Sequence, residues 1–157
     1  MDAAKDRERL SILREACLKH YEDAHIKRIR EINNGYIAEF KEYLLKEKGI
    51  SEELAIKHAK IIELFLNVYL PRENMFILFD FYEDLGGFFE GFLVYKCVSS
   101  VSEMTSAIAS CNKFIDFLGE KGYFEEVDCK LAKDTIKEEK GYWLKELKKY
   151  RKEIFGS

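Results

Sequence analysis

The chain has 157 residues, of which 47% are hydrophobic and 14% aromatic, with a single proline and a formal net charge of −3. That length and composition suit one globular domain with its own core, exclude a disordered polymer, and lack the basic excess of a dedicated nucleic-acid binder. The longest apolar stretches, Met75 to Phe79 and Phe88 to Tyr95, fall well short of the ~20 residues a membrane helix needs, so no membrane partner is expected.

Leu10, Leu13, Cys17, Tyr21 and Ala24 recur at three- and four-residue steps and predict one long helix over 1–32. Asn33-Asn34-Gly35 interrupts it, and a second helix begins near Tyr36 with Tyr36, Ile37, Phe40, Tyr43 and Leu44 as its buried stripe and Gly49 at its end. Ser51 reads as the N-cap of a third helix, with Glu52 and Glu53 complementing the dipole in the first turn. Leu54, His58, Ile61, Ile62, Phe65 and Tyr69 line one face of it, and Pro71 ends it near Leu70. The run Met75 to Phe79 reads as a buried connector, because no second strand exists to pair with it.

Asp80 and Glu83 resemble a capping box opening a fourth helix from Phe81 to about Cys97, with Leu85, Phe88, Phe89, Phe92 and Leu93 as its core face. Ser99, Ser100 and Ser102 offer caps for a fifth helix that ends near Gly119 or Gly122 and buries Met104, Ala107, Ile108, Cys111, Phe114, Ile115 and Leu118. Asp128 caps the last helix, where Ile136, Trp143, Leu147, Tyr150 and Ile154 form a narrow seam suited to docking on the body or on a partner helix. The predicted fold is all-α, an orthogonal or irregular bundle forming a single helical domain over 1–157.

Motifs for catalysis are missing. Gly86, Gly87 and Gly91 lack phosphate-loop spacing, and neither a nucleophile elbow nor a paired-histidine zinc motif occurs. The four cysteines, Cys17, Cys97, Cys111 and Cys129, form no Cys-x-x-Cys pair and read as buried free thiols. Cys17, His20 and His25 are the only metal-like group, but His25 sits at a different helical angle and no fourth ligand is near. No enzyme activity, metal or cofactor is expected. The N-terminal segment carries both charge signs and leads into no apolar run, which points to the cytoplasm.

The order of signals from Phe40 to Gly122 resembles the core-binding, SAM-like N-terminal domain of tyrosine recombinases and phage integrases. The resemblance is carried by Phe40-Lys-Glu-Tyr-Leu-Leu-Lys-Glu-Lys-Gly-Ile-Ser51, Phe65-Leu-Asn-Val-Tyr-Leu70, Asp84-Leu-Gly-Gly-Phe-Phe89, Ser102-Glu-Met-Thr105 and Phe114-Ile-Asp-Phe-Leu118. It implies a four-helix SAM-like core over 36–122, flanked by an N-terminal helix over 1–32 and a C-terminal helix over 128–155. The family's catalytic domain has no counterpart here, so the resemblance implies a non-catalytic DNA-binding or recombination-accessory module.

In that family the second and fourth core helices grip DNA, here about Glu52 to Leu70 and Glu103 to Gly119. From Ser51 to Asp128, however, six Lys and Arg stand against fourteen Asp and Glu. From Cys129 onward nine Lys and Arg stand against five acids. Phosphate contacts are therefore expected from Lys148, Lys149, Arg151 and Lys152, helped by Lys27, Arg28 and Arg30, and weak and indifferent to sequence. The same cations also fit an ordinary solvated helix end. The alternative function is a helical protein-interaction module without nucleic-acid binding, acting through the C-terminal helix on another protein or on a second copy.

Overall fold

The computed structural model describes residues 1–73, 77–96 and 100–155. Among them every regular element is helical and none is a strand, so the all-α class holds. The elements are α1 (Ala3–Lys19), α2 (Asp23–Lys46), α3 (Glu52–Glu63), α4 (Leu70–Glu73), α5 (Val94–Lys96), α6 (Val101–Glu120) and α7 (Glu126–Phe155). A π-helical stretch, Leu64–Tyr69, joins α3 to α4; a 3-10 stretch, Leu78–Asp84, and a second π-helical stretch, Gly87–Leu93, precede α5. The chain divides into two compact units, Met1–Phe81 and Tyr82–Ser157, and the division falls inside the 36–122 segment.

In the first unit the predicted helix over 1–32 is two helices. His20 and Glu22 take extended backbone between α1 and α2. The reason lies in the apolar register. Leu10 and Cys17 define the buried side of α1, whereas α2 buries Ile26, Ile29, Tyr36, Phe40 and Leu44. On one continuous helix Ile26 would face about 180° away from Cys17, so the break re-aims the chain. Tyr21, placed in the stripe by spacing, is 62% exposed.

Asn33-Asn34-Gly35 does not interrupt α2, which runs through it. The Asn33 amide donates to the Leu66 carbonyl (3.2 Å) and to Asn67 Oδ1 (3.0 Å), and Asn67 Nδ2 donates to Asn34 Oδ1 (2.7 Å). These asparagines serve a neighbouring helix rather than a cap. The turn that ends α2 is closed by Gly49 at φ +64°, with the Ile50 N–H bonded to the Leu44 carbonyl at 2.9 Å.

Ser51 is the N-cap of α3, its Oγ accepting from the Leu54 N–H at 3.3 Å. The buried side differs in part from the spacing: Ala55, His58, Ala59 and Ile62 are inside, while Leu54 is exposed and Ile61 half-buried. Nor does Pro71 end the helix, which continues to Glu73. A proline within a helix leaves one carbonyl a turn before it without its donor. Here the helix widens into π geometry, and the Leu66 and Asn67 carbonyls accept side-chain donors, from Asn33 Nδ2 and from Arg30 Nε (2.9 Å).

Met75 and Phe76 of the predicted connector lie outside the described residues; Ile77 is buried, and Leu78 opens the 3-10 stretch. Asp80 lies inside that stretch rather than capping a helix, and accepts from Arg14 Nη1 at 3.4 Å.

Tyr36 is fully buried, and its hydroxyl donates to Asp6 Oδ2 at 2.7 Å. Tyr36→Phe strands a buried carboxylate oxygen. It should lower stability by about 1 to 3 kcal/mol, read as a shift in the denaturant midpoint with unchanged slope. An unchanged midpoint would show that the bond contributes nothing.

In the second unit the predicted fourth helix is composite, a π-helical turn followed by α5, and its predicted end at Cys97 lies outside the described residues. Leu85, Phe88, Phe89, Phe92 and Leu93 are buried as the spacing requires. Ser100 caps α6 through its Oγ, which accepts from the Glu103 N–H at 3.1 Å, while Ser99 lies outside the described residues. Gly122 at φ +74° closes the far end, where the Tyr123 and Phe124 N–H groups return to the Leu118 carbonyl. Asp128 does not cap α7, which already begins at Glu126; the Asp128 N–H donates to the Glu125 carbonyl. Helices α6 and α7 pack on each other, with Ile136, Trp143 and Leu147 fully buried.

Candidate functional site

The two groups of cations expected to meet DNA lie on different units, one on α2 in the first and one near the end of α7 in the second. On α7 the buried residues Ile136, Trp143 and Leu147 share one side. At 3.6 residues per turn Lys145, Lys148, Lys149 and Lys152 fall within an arc of about 100° on the opposite side, with Arg151 about 60° outside it toward the buried side. All five are exposed, and none forms an ion pair with a described residue. They occupy the last turns of α7, where cations meet the negative end of the dipole. Tyr150 packs edge-on against Tyr95 at 4.6 Å between ring centroids, so the segment bearing the lysines is tied to its unit by Trp143, Leu147 and Tyr150.

The α2 group does not form a comparable surface. Arg28 Nη1 donates to Glu31 Oε2 at 3.1 Å, and Arg30 Nε is committed to the Asn67 carbonyl. Only Lys27 of the three is exposed without a bonded partner among the described residues. Helices α3 and α6 are also poorly suited to phosphate: Glu52, Glu53 and Glu63 of α3 and Glu103, Asp116 and Glu120 of α6 are exposed.

Thiol chemistry is disfavoured at the described cysteines. Burial pushes the Cys111 thiol up and also raises Cys17, with Glu22 adding to the effect. Cys129 is raised by burial and by Asp128, Asp116 and Glu126. All three therefore stay protonated near neutrality, and a thiol is a weak nucleophile. These cysteines are free; Cys17 and Cys111 are buried, whereas Cys129 is half-buried. Among the described residues no group of three or more His, Cys, Asp and Glu is placed to hold a metal ion.

One feature of the first unit does not follow from spacing. Two adjoining clefts of about 580 and 570 Å³ share Tyr21, Ile26 and Arg30. Cys17, Val68, Pro71 and Arg72 complete the first; Asp23, Ala24, Lys27, Glu31 and Asn34 complete the second. They depend on the break between α1 and α2 and on the π-helical turn before Pro71, and periodicity discloses neither.

No described helix is long and apolar enough to cross a membrane. A scan against protein-family models finds no match to this chain, and searches of curated proteins and of solved structures find none either.

Proposed function

We propose that the chain is a non-catalytic helical module, akin in fold to recombinase core-binding domains, that binds DNA weakly through backbone phosphates at the end of α7. The supporting observation is the exposed strip of Lys145, Lys148, Lys149 and Lys152, free of ion pairs with described residues and backed by a buried seam that holds the helix in place. Lys145 to Lys152 spans only about 10 Å of helix, so it meets about three to five phosphates and reads no base edge. The proposed kinship rests on the motifs between Phe40 and Leu118; it departs from the family at Ser102, which lies within α6 while Ser100 supplies the cap, and at the docking surface.

The test is fluorescence anisotropy with labelled duplex and single-stranded DNA at low salt. Changing Lys148, Lys149 and Lys152 together to Glu should abolish binding, whereas Lys57→Glu and Lys113→Glu should change it less than about twofold. Loss of binding from Lys57 or Lys113, with none from α7, would restore the family's docking mode and remove this one.

A second reading, a protein-interaction module, is favoured by Val127 and Leu131. These are 66% and 56% exposed and lie one turn apart at the start of α7. Absence of DNA binding, together with a concentration-dependent mass abolished by Leu131→Glu, would select it.

A further inference from the structure

We infer that the cleft bounded by Tyr21, Arg30 and Arg72 is a binding site for a carboxylate attached to an apolar body. Among the described residues the first cleft is lined by two arginines and no acidic residue, and the rest of its described wall is Cys17, Tyr21, Ile26, Val68 and Pro71. A volume of about 580 Å³ falls in the range of small-ligand sites, which pair an apolar wall with a few fixed polar groups.

Arg30 is fixed rather than free. Its Nε holds the Asn67 carbonyl at 2.9 Å, while its Nη groups have no hydrogen-bond partner among the described residues. A guanidinium anchored by one nitrogen loses little side-chain entropy when the other two engage a carboxylate, and the paired geometry suits that anion. Arg72, on α4 immediately after Pro71, is a second cation on the same cleft and likewise has no described partner. Burial and Glu22 keep the Cys17 thiol protonated, so that part of the wall is neutral. The adjoining cleft sets Asp23 and Glu31 against Lys27 and the shared Arg30, so it is the less cationic of the two, and the ligand's charge belongs at the arginines and its apolar body along Ile26, Val68 and Pro71. A free acyl or aryl acid and the C-terminus of a peptide ending in an apolar residue share this chemistry.

Amide NMR titration of the full chain tests the assignment, with octanoate, acetyl-Gly-Leu and the cationic control octylamine as probes. One or both anions should shift the Tyr21, Ile26, Arg30, Val68 and Arg72 amides saturably, with Kd in roughly the millimolar range. Octylamine should leave them in place. Arg72→Gln should weaken binding about tenfold, and Val68→Asp, at a partly exposed position, should abolish it. Tighter octanoate assigns the free acid, and tighter acetyl-Gly-Leu assigns the chain terminus. Absence of shifts by either anion at about 20 mM, equal shifts by octylamine, or an Arg72→Gln variant that binds as well as the parent would each overturn the site.

Discussion

Trp143→Ala is expected to lower stability by about 3 to 5 kcal/mol. Trp143 has no exposed surface, and its ring stacks on Phe89 with centroids 4.6 Å apart and planes 18° from parallel. Truncation removes the stacking and leaves a cavity between α7 and the π-helical turn that carries Phe89, both in the second unit. The indole N–H, by contrast, finds no acceptor among the described residues. Trp143→Phe keeps an aromatic ring on Phe89 and removes that unsatisfied donor, so it should cost only about 1 kcal/mol. Urea denaturation followed by far-ultraviolet circular dichroism measures both, free of the lost tryptophan signal. Equal costs for Ala and Phe would show that the stack and the filled volume are not what hold α7.

Asn33→Ala is expected to destabilise the first unit by about 2 to 4 kcal/mol, because two buried acceptors, the Leu66 carbonyl and Asn67 Oδ1, lose their donor. The cause reaches back to Pro71, whose missing N–H removes one helical donor from the turn that holds the Leu66 and Asn67 carbonyls. Pro71→Ala restores a backbone donor within the helix. In that background Asn33→Ala should cost about 1 kcal/mol less than it does alone. A double-mutant cycle in urea reads the difference. Strict additivity would separate Asn33 from the proline and leave the helix running through Pro71 without a cause.

These two cases also mark the boundary of what the sequence discloses. Ser51 and Ser100 are legible as caps because an N-cap bonds a backbone N–H three residues away, wholly within the local sequence. The core faces of α2 and α6 are legible because helical period alone sets which residues share a side. Asn33 and Pro71 mislead for the opposite reason: each carries a strong local signal that is overruled by a partner more than thirty residues away. The break after Lys19 is hidden because Tyr21 and Ala24 prolong the α1 spacing by coincidence, and only the register of Ile26 betrays it.

The candidate site divides in the same way. Lys148, Lys149, Arg151 and Lys152 are legible because nothing described pairs with them, so their charge in sequence is their charge in the fold. Arg28 and Arg30 are not, because Glu31 and the Asn67 carbonyl decide their roles. Arg72 draws no attention in the sequence, since the composition around it is acidic and only the cleft gives it a neighbour of the same sign.

The salt dependence of duplex DNA binding tests the central claim most directly. A strip that meets about three to five phosphates predicts a plot of log K against log salt concentration with a slope of about −3 to −4.5, the same for unrelated sequences. A slope near zero, or an affinity that changes by more than about tenfold between sequences at one salt concentration, would contradict phosphate contact by the end of α7.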